Sequence, residues 1–201
     1  MSSIKQSVTR GRPREFDINP ALDKAMDVFR TNGFFATSIS DLSRAMNLTV
    51  GSIYKAFGDK SNLFYQVFNR YLAQRQEELN LRLNQASTGY EKIHSLLNFY
   101  IDSIQDLEGK KGCLVVGSTI ELSLLNQELT QAIEFALSKN LSLIKKLIEE
   151  GQADHSINSQ IDLDQTASVL LCLVLGIRVI GKTSSIYLDK SMIPLIMKIF
   201  N

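Results

Sequence analysis

From Phe16 onward, apolar residues return every three or four positions in nearly every segment of the chain. That period belongs to the α-helix, and a chain that keeps it throughout offers no strand pair from which to build a sheet. The sequence therefore predicts an all-α protein. In "NPALDKAMDVFRTNG", Leu22, Ala25, Met26 and Phe29 share one face. Asn19 is the expected N-cap, Pro20 the first helical residue and Gly33 the C-terminal cap. In "TSISDLSRAMN", Ser38 and Asp41 have capping-box spacing, and Ile39, Leu42, Ala45 and Met46 form the inner stripe. Asn47 tolerates left-handed backbone and so ends that helix sharply. Thr49 caps the next helix, Ile53 and Phe57 face inward, and Gly58-Asp59 stops it.

A long helix is expected from Asp59 or Lys60 to about Leu83, followed by helices over residues 90–107, 113–125, 128–150, 163–182 and 188–200. That makes about nine. Breaks fall at "STG" (87–89), "GKKG" (109–112), "GQADHSINSQ" (151–160) and "KTSS" (182–185). Pro194 should kink or restart the last helix, because proline removes a backbone donor.

Composition excludes several functions. With 201 residues and 44% hydrophobic content, the chain is long enough for a sizeable core. Cys113 and Cys172 are too few for a disulfide framework or a four-cysteine zinc site. His94 and His155 stand alone, and no nucleophile elbow, Walker loop or dinucleotide-binding glycine pattern occurs. Neither enzyme chemistry, a metal nor a cofactor is expected. The N-terminus lacks the apolar core of a signal peptide, and the apolar run "VLLCLVLGI" has nine residues, against about 18–20 needed to span a bilayer. A cytoplasmic protein without a membrane partner is expected. Net charge is +1 but unevenly placed: +3 over residues 1–60 and −2 over 61–201. Lys5, Arg10, Arg12 and Arg14 concentrate the basic excess at the start, where a polyanion is met.

The stretch "LSRAMNLTVGSIYKAFGDK" reads as a helix, a tight turn and a helix of only about two turns. That is a helix-turn-helix arrangement, in which the second helix enters the DNA major groove. Thr49, Gly51 and Ser52 are small or polar, so backbone can approach phosphate and base edges. Ser38 and Ser40 open the preceding helix, and helix starts attract phosphate. Tyr54 offers a hydroxyl on a rigid ring, Lys55 a mobile cation, and Lys60 a grip on the flanking backbone. Val50 either touches a thymine methyl or packs sideways against Ser38 or Ile39. The same spacing also fits a helical carrier or a protein-interaction module without DNA binding.

The block from Ala21 to Leu72 resembles the N-terminal domain of the tetracycline-repressor (TetR) family of bacterial transcription regulators. The resemblance lies in Gly33-Phe34-Phe35, in the Ser38-to-Leu42 start of the second helix, and in "VGSIY" after Thr49, followed by Phe57 and Lys60. "RGRPREFD", "AFGDK" and Gly112-Cys113-Leu114 are similar to one subgroup. Val50 and Asn47 depart from the common pattern, which has a base and a glycine there. The resemblance implies a basic arm (1–15), a helix-turn-helix domain (16–62) and an effector-binding and dimerisation domain (63–201). It also implies a repressor released from operator DNA by a small effector.

One short recognition helix reads few base pairs, so a two-fold homodimer on a palindromic operator is expected. "ASVLLCLVLGIRVIG" and "MIPLIMKIF", the last two helices, are the expected interface. Phe68, Tyr71, Tyr100, Ile104, Cys113, Gly117 and Glu121 are the expected lining of the effector pocket. Lys110 and Lys111 beside Cys113 raise the alternative of redox sensing through that thiol. Cys172 is expected to be packed.

Overall fold

The computed structural model describes residues 16–122, 127–183 and 186–201. Among these residues the chain is helical and contains no strand. Helix α1 (Ile18–Asn32) is capped by Asp17, whose carboxylate accepts from Asn19 N at 3.0 Å. The expected Asn19 cap is thus two residues late. Asp17 stands in extended backbone just ahead, and Pro20 falls third in the helix, where an N–H has no intrahelical partner in any case. Gly33 ends α1 at φ +84°, its N–H returning to Phe29 O.

α2 (Ile39–Met46) carries the full Ser38–Asp41 capping box. Asn47 then adopts left-handed backbone (φ 55°, ψ 43°), and Thr49 caps α3 (Val50–Phe57). α4 (Lys60–Leu83) has Asp59 as its cap. Its 24 residues span about 36 Å at 1.5 Å each. Leu63, Phe64, Val67, Phe68 and Tyr71 of α4 share one buried cluster with α1, α2 and α3, whereas Leu79 and Leu83 belong to a second. One rigid rod therefore belongs to both cores. The first core also takes Leu114, Val115, Leu129, Ile133 and Ala136, so apolar packing continues past residue 62.

α5 (Gly89–Asp102) ends five residues sooner than expected, and α6 (Asp106–Lys111) occupies a predicted break. The cause is tertiary. Arg178 donates to the Ser103 carbonyl and hydroxyl, and Ile104 fills a joint between Gly109 and Gly181, where any Cβ would strike it. α7 (Leu114–Leu122), α8 (Gln127–Ala153) and α9 (Leu163–Ile180) follow. The expected helix over 188–200 is instead a short α10 (Ile193–Met197) between 3₁₀ turns at Lys190–Met192 and Lys198–Phe200. Pro194 sits in its first turn, so it marks a restart.

α5, α8, α9 and α10 enclose the second core. α9 as a whole is long and apolar enough for a membrane span, longer than the nine residues counted in the sequence. Its inner side, however, buries Ala167, Leu170, Val174, Ile177 and Arg178 within the bundle. Its outer side exposes Val169, Cys172 and Val179, so Cys172 is not packed as expected. Ile193, Ile196, Met197 and Phe200 turn inward, leaving Leu195 and Ile199 exposed. The end of the chain is thus mostly core rather than free apolar face.

Candidate nucleic-acid interface and effector cavity

α3 is anchored from one side only. Ile53 and Phe57 are 1% exposed, and the Phe57 ring meets Phe16 at 6.4 Å between centroids. Thr49, Val50, Gly51, Tyr54 and Lys55 lie on the exposed side, with Ser52 half-buried. Ser38 and Ser40, at the start of α2, are exposed as well. Thr49 Oγ1 accepts from Ser52 N at 3.1 Å, fixing the first turn, and a Cβ on Gly51 would touch only that hydroxyl. Val50 is 41% exposed and Tyr54 48%, so an apolar and an aromatic side chain stand in the open on a helix of eight residues. Arg12 and Arg14 lie outside the described residues.

Lys60 departs from expectation. Its Nζ donates to the carbonyls of Phe34 (2.9 Å) and Thr37 (3.0 Å) and sits 4.3 Å from the centre of the Phe34 ring. Burial holds its ammonium below the ordinary lysine value, though Glu121 opposes this. In this structure Lys60 staples the α1–α2 loop to the start of α4. A buried-side cation satisfies carbonyls that no helix can.

Polar contacts join this head to the later helices. Arg30 of α1 pairs with Glu108 at 2.9 Å, and its Nε donates to Gly112 O at 3.0 Å. Lys111 pairs with Asp27 at 3.1 Å. Glu121 accepts from Phe34 N at 2.7 Å and closes over Gly33, where positive φ already favours glycine. Glu121 was expected in an effector pocket. It lines a cavity of about 310 Å³ with Gly117, but its carboxylate is turned to the α1–α2 loop.

A larger cavity of about 440 Å³ opens beside α4. Among its lining, Tyr71, Arg75 and Leu79 come from α4, Phe99 and Tyr100 from α5, Phe135 and Lys139 from α8, and Leu175 and Arg178 from α9; Cys113, and Val115 of α7, border it as well. Of the expected lining, Tyr71, Tyr100 and Cys113 are here. Cys113 also borders the smaller cavity. Phe68 is fully buried in the first core and lines neither, and Ile104 fills its glycine joint instead. Arg75 and Arg178 were missed. Arg178 had a signal, a lone base within an apolar run; Arg75 sits in "AQRQEEL" and had none.

The electrostatics around Cys113 are unusual. Burial alone would raise its thiol, but the Arg178 guanidinium and hydrogen bonds from Val116 N–H and Tyr71 outweigh it and hold the thiol below its ordinary value. Tyr71 OH lies 3.5 Å from the Cys113 sulfur. Burial pushes the Tyr71 phenol up, and the Tyr100 phenol up to about 12. Arg178 Nη2 donates to Gly112 O at 3.3 Å, the same carbonyl that holds Arg30. No group of three or more metal-ligating side chains occurs among the described residues.

Comparison with known proteins agrees with this layout. Residues 21–67 match the family model for bacterial regulatory proteins of the tetR family, and residues 89–184 the tetracyclin repressor-like C-terminal domain. The HTH-type transcriptional repressor ComR of Escherichia coli K12 is 28% identical over 182 residues, covering 88% of this chain and 83% of ComR. The HTH-type transcriptional repressor DhaR of a Mycobacterium species is 26% identical over 150 residues, covering 75% of this chain and 74% of DhaR. A cysteine-substituted form of the TetR-family regulator CifR, solved with 26-base-pair operator DNA, superposes with a TM-score of 0.78. It is 26% identical, over 94% of this chain and 96% of that one.

Proposed function

The chain belongs to the TetR family of bacterial regulatory proteins and is a ligand-responsive, DNA-binding repressor, and we propose that it reads a palindromic operator as a homodimer through α3. The observation that carries this reading is the one-sided anchoring of α3. Two buried side chains hold it, and on its opposite side Thr49, Val50, Gly51, Tyr54 and Lys55 are exposed among the described residues. Thr49, Gly51, Ser52 and Tyr54 meet phosphate and base edges, and Val50 meets a thymine methyl. Lys55 and the arm with Arg12 and Arg14 supply phosphate contacts.

Pairing of two copies uses the outer sides of the last two helices, where Val169 and Val179 of α9 are 55% and 52% exposed and Leu195 of α10 is 69% exposed. The 440 Å³ cavity takes the effector, its size being ordinary for a small-molecule site. Effector binding moves α4 relative to the clasp made by Arg30, Lys111 and Glu121 and so resets the spacing of the two heads. A hundredfold loss of operator affinity needs a difference of only about 2.7 kcal/mol between states. The protein works in the cytoplasm, where the DNA is, and no enzymatic step is proposed.

The test is a gel shift with the intergenic DNA upstream of the chain's own gene, with molecular mass by sedimentation. A dimer that shifts this DNA, and a Ser52→Ala/Tyr54→Ala variant that folds but does not, supports the reading. A folded protein whose DNA affinity is indifferent to those residues removes it and leaves a helical ligand carrier.

A further inference from the structure

The 440 Å³ cavity has a one-signed lining. Arg75, Arg178 and Lys139 border it, and among the described residues neither Asp nor Glu does. Arg178 is 3% exposed; its donors go to the Ser103 carbonyl and hydroxyl and to Gly112 O, and its side chain also meets the Cys113 thiol and the Tyr71 hydroxyl, none of them a carboxylate. It has no carboxylate partner among the described residues. Arg75 is paired with Glu78 at 3.0 Å, on the outside, and lies 3.9 Å from the centre of the Phe99 ring. Burial holds the Arg75 guanidinium below its ordinary value, and the charge on Arg178 adds to that. Lys139 has no ion pair among the described residues. The remaining surface is largely apolar, including Phe99, Phe135 and Leu175. A buried guanidinium with no carboxylate beside it is a costly arrangement, and the acidic groups that touch it among the described residues are the Cys113 thiol and the Tyr71 phenol.

We propose that this cavity binds a small organic anion with an apolar body, its anionic group held between Arg178 and Arg75 and its body against Phe99, Phe135 and Leu175. The inference rests on the cavity being the effector site and names the chemistry of what enters it. Guanidinium geometry suits a carboxylate or sulfonate, which it meets with two parallel donors. The same residue supplies the link to DNA. An anion on Arg178 competes with the Ser103 and Gly112 carbonyls for its donors. Gly112 O is also the acceptor for Arg30 Nε of α1, so the event at the cavity reaches the head through one shared atom.

The test uses two dyes of similar shape and the full chain. 1-Anilinonaphthalene-8-sulfonate is anionic, and N-phenyl-1-naphthylamine is its neutral counterpart. The variants are Arg178→Gln and, in case the buried change impairs folding, the more exposed Arg75→Gln. The expected result is that either substitution weakens the anionic dye at least about tenfold and leaves the neutral dye within about twofold, which also shows that the cavity is intact. Equal effects on both dyes, or none on the anionic one, would overturn the proposal. So would a thiolate absorbance near 240 nm that depends on both Cys113 and Arg178 without anion preference, since the counter-charge would then be internal. Anion-selective binding that leaves operator affinity unchanged would support the ligand chemistry and overturn the effector reading beneath it.

Discussion

Replacing Lys60 with Met separates two roles that a lysine at the foot of a DNA-reading head can play. The change keeps most of the apolar stem and removes the ammonium. In the structure that ammonium donates at 2.9 and 3.0 Å to the Phe34 and Thr37 carbonyls and lies 4.3 Å above the Phe34 ring. Hydrogen bonds to a charged group contribute about 1.5–3 kcal/mol each, and a half-buried cation–π contact about 1 kcal/mol. Two subtractions apply. Phe34 O keeps a second donor in Thr37 N, at 3.3 Å, and removing the cation relieves its own burial cost. The expected net loss is about 2 kcal/mol. For a chain of 201 residues that lowers the melting temperature by about 4–8 °C. Calorimetry gives this number, and operator binding at four salt concentrations gives the second. A lysine holding a phosphate contributes about 0.9 to the slope of log affinity against log salt. A staple contributes nothing to it. An unchanged melting temperature with a slope reduced by about 0.9 would refute the staple and restore Lys60 to the DNA surface.

Gly89→Ala should cost at least about 2 kcal/mol in urea denaturation, because its Cβ would run into the Gly151 backbone and part α5 from α8; Gly117→Ala, with open space at that position, should stay within about 0.5 kcal/mol. Asn47→Val should cost about 1–2 kcal/mol by the same measurement, and Asn47→Gly little, since φ at this position is 55°. Lys111 and Arg30 hold the Glu108 carboxyl below its ordinary value of 4.5. Its contribution is therefore present above about pH 4.5 and lost as pH falls through the lower folded value. Glu108 is 57% exposed, so Glu108→Gln should be less stable than the parent by under about 1 kcal/mol at pH 6, and the two stability curves should converge as pH falls below the ordinary carboxylate range.

What could be read from the chain was what local chemistry decides. The Ser38–Asp41 box, left-handed Asn47, the Thr49 cap and the stop at Gly58 each depend on groups within five residues, and each stands as expected. Asp17 shows the limit of such reading. Two cap-forming residues stood two positions apart, and proline after Asn19 favoured the wrong one. The recognition helix was legible because a helix that short must be amphipathic to stay attached, which left its open side to be read by subtraction. The cavity was legible only in part, through Tyr71, Tyr100 and Cys113. Its lining comes from α4, α5, α7, α8 and α9, and no local rule says which side chains of five helices meet.

The break between α5 and α6 joins these two levels. Periodicity favours one helix from 90 to 107, and nothing in Ser103-Ile104-Gln105 forbids it. The break is imposed from 75 residues away by Arg178, which takes the Ser103 carbonyl out of the helical ladder. The same guanidinium reaches Gly112 O at the far end of α6. Arg178 thus determines where α5 stops and where α6 and α7 meet, while Arg30 docks α1 on that same joint. A charge needed only for solubility would sit outside α9. One buried among apolar residues, holding backbone at two helix ends, makes the geometry of that joint depend on whatever else binds the guanidinium. The local disruption of helix order is the physical reason a small anion in the cavity can be felt by a DNA-reading head.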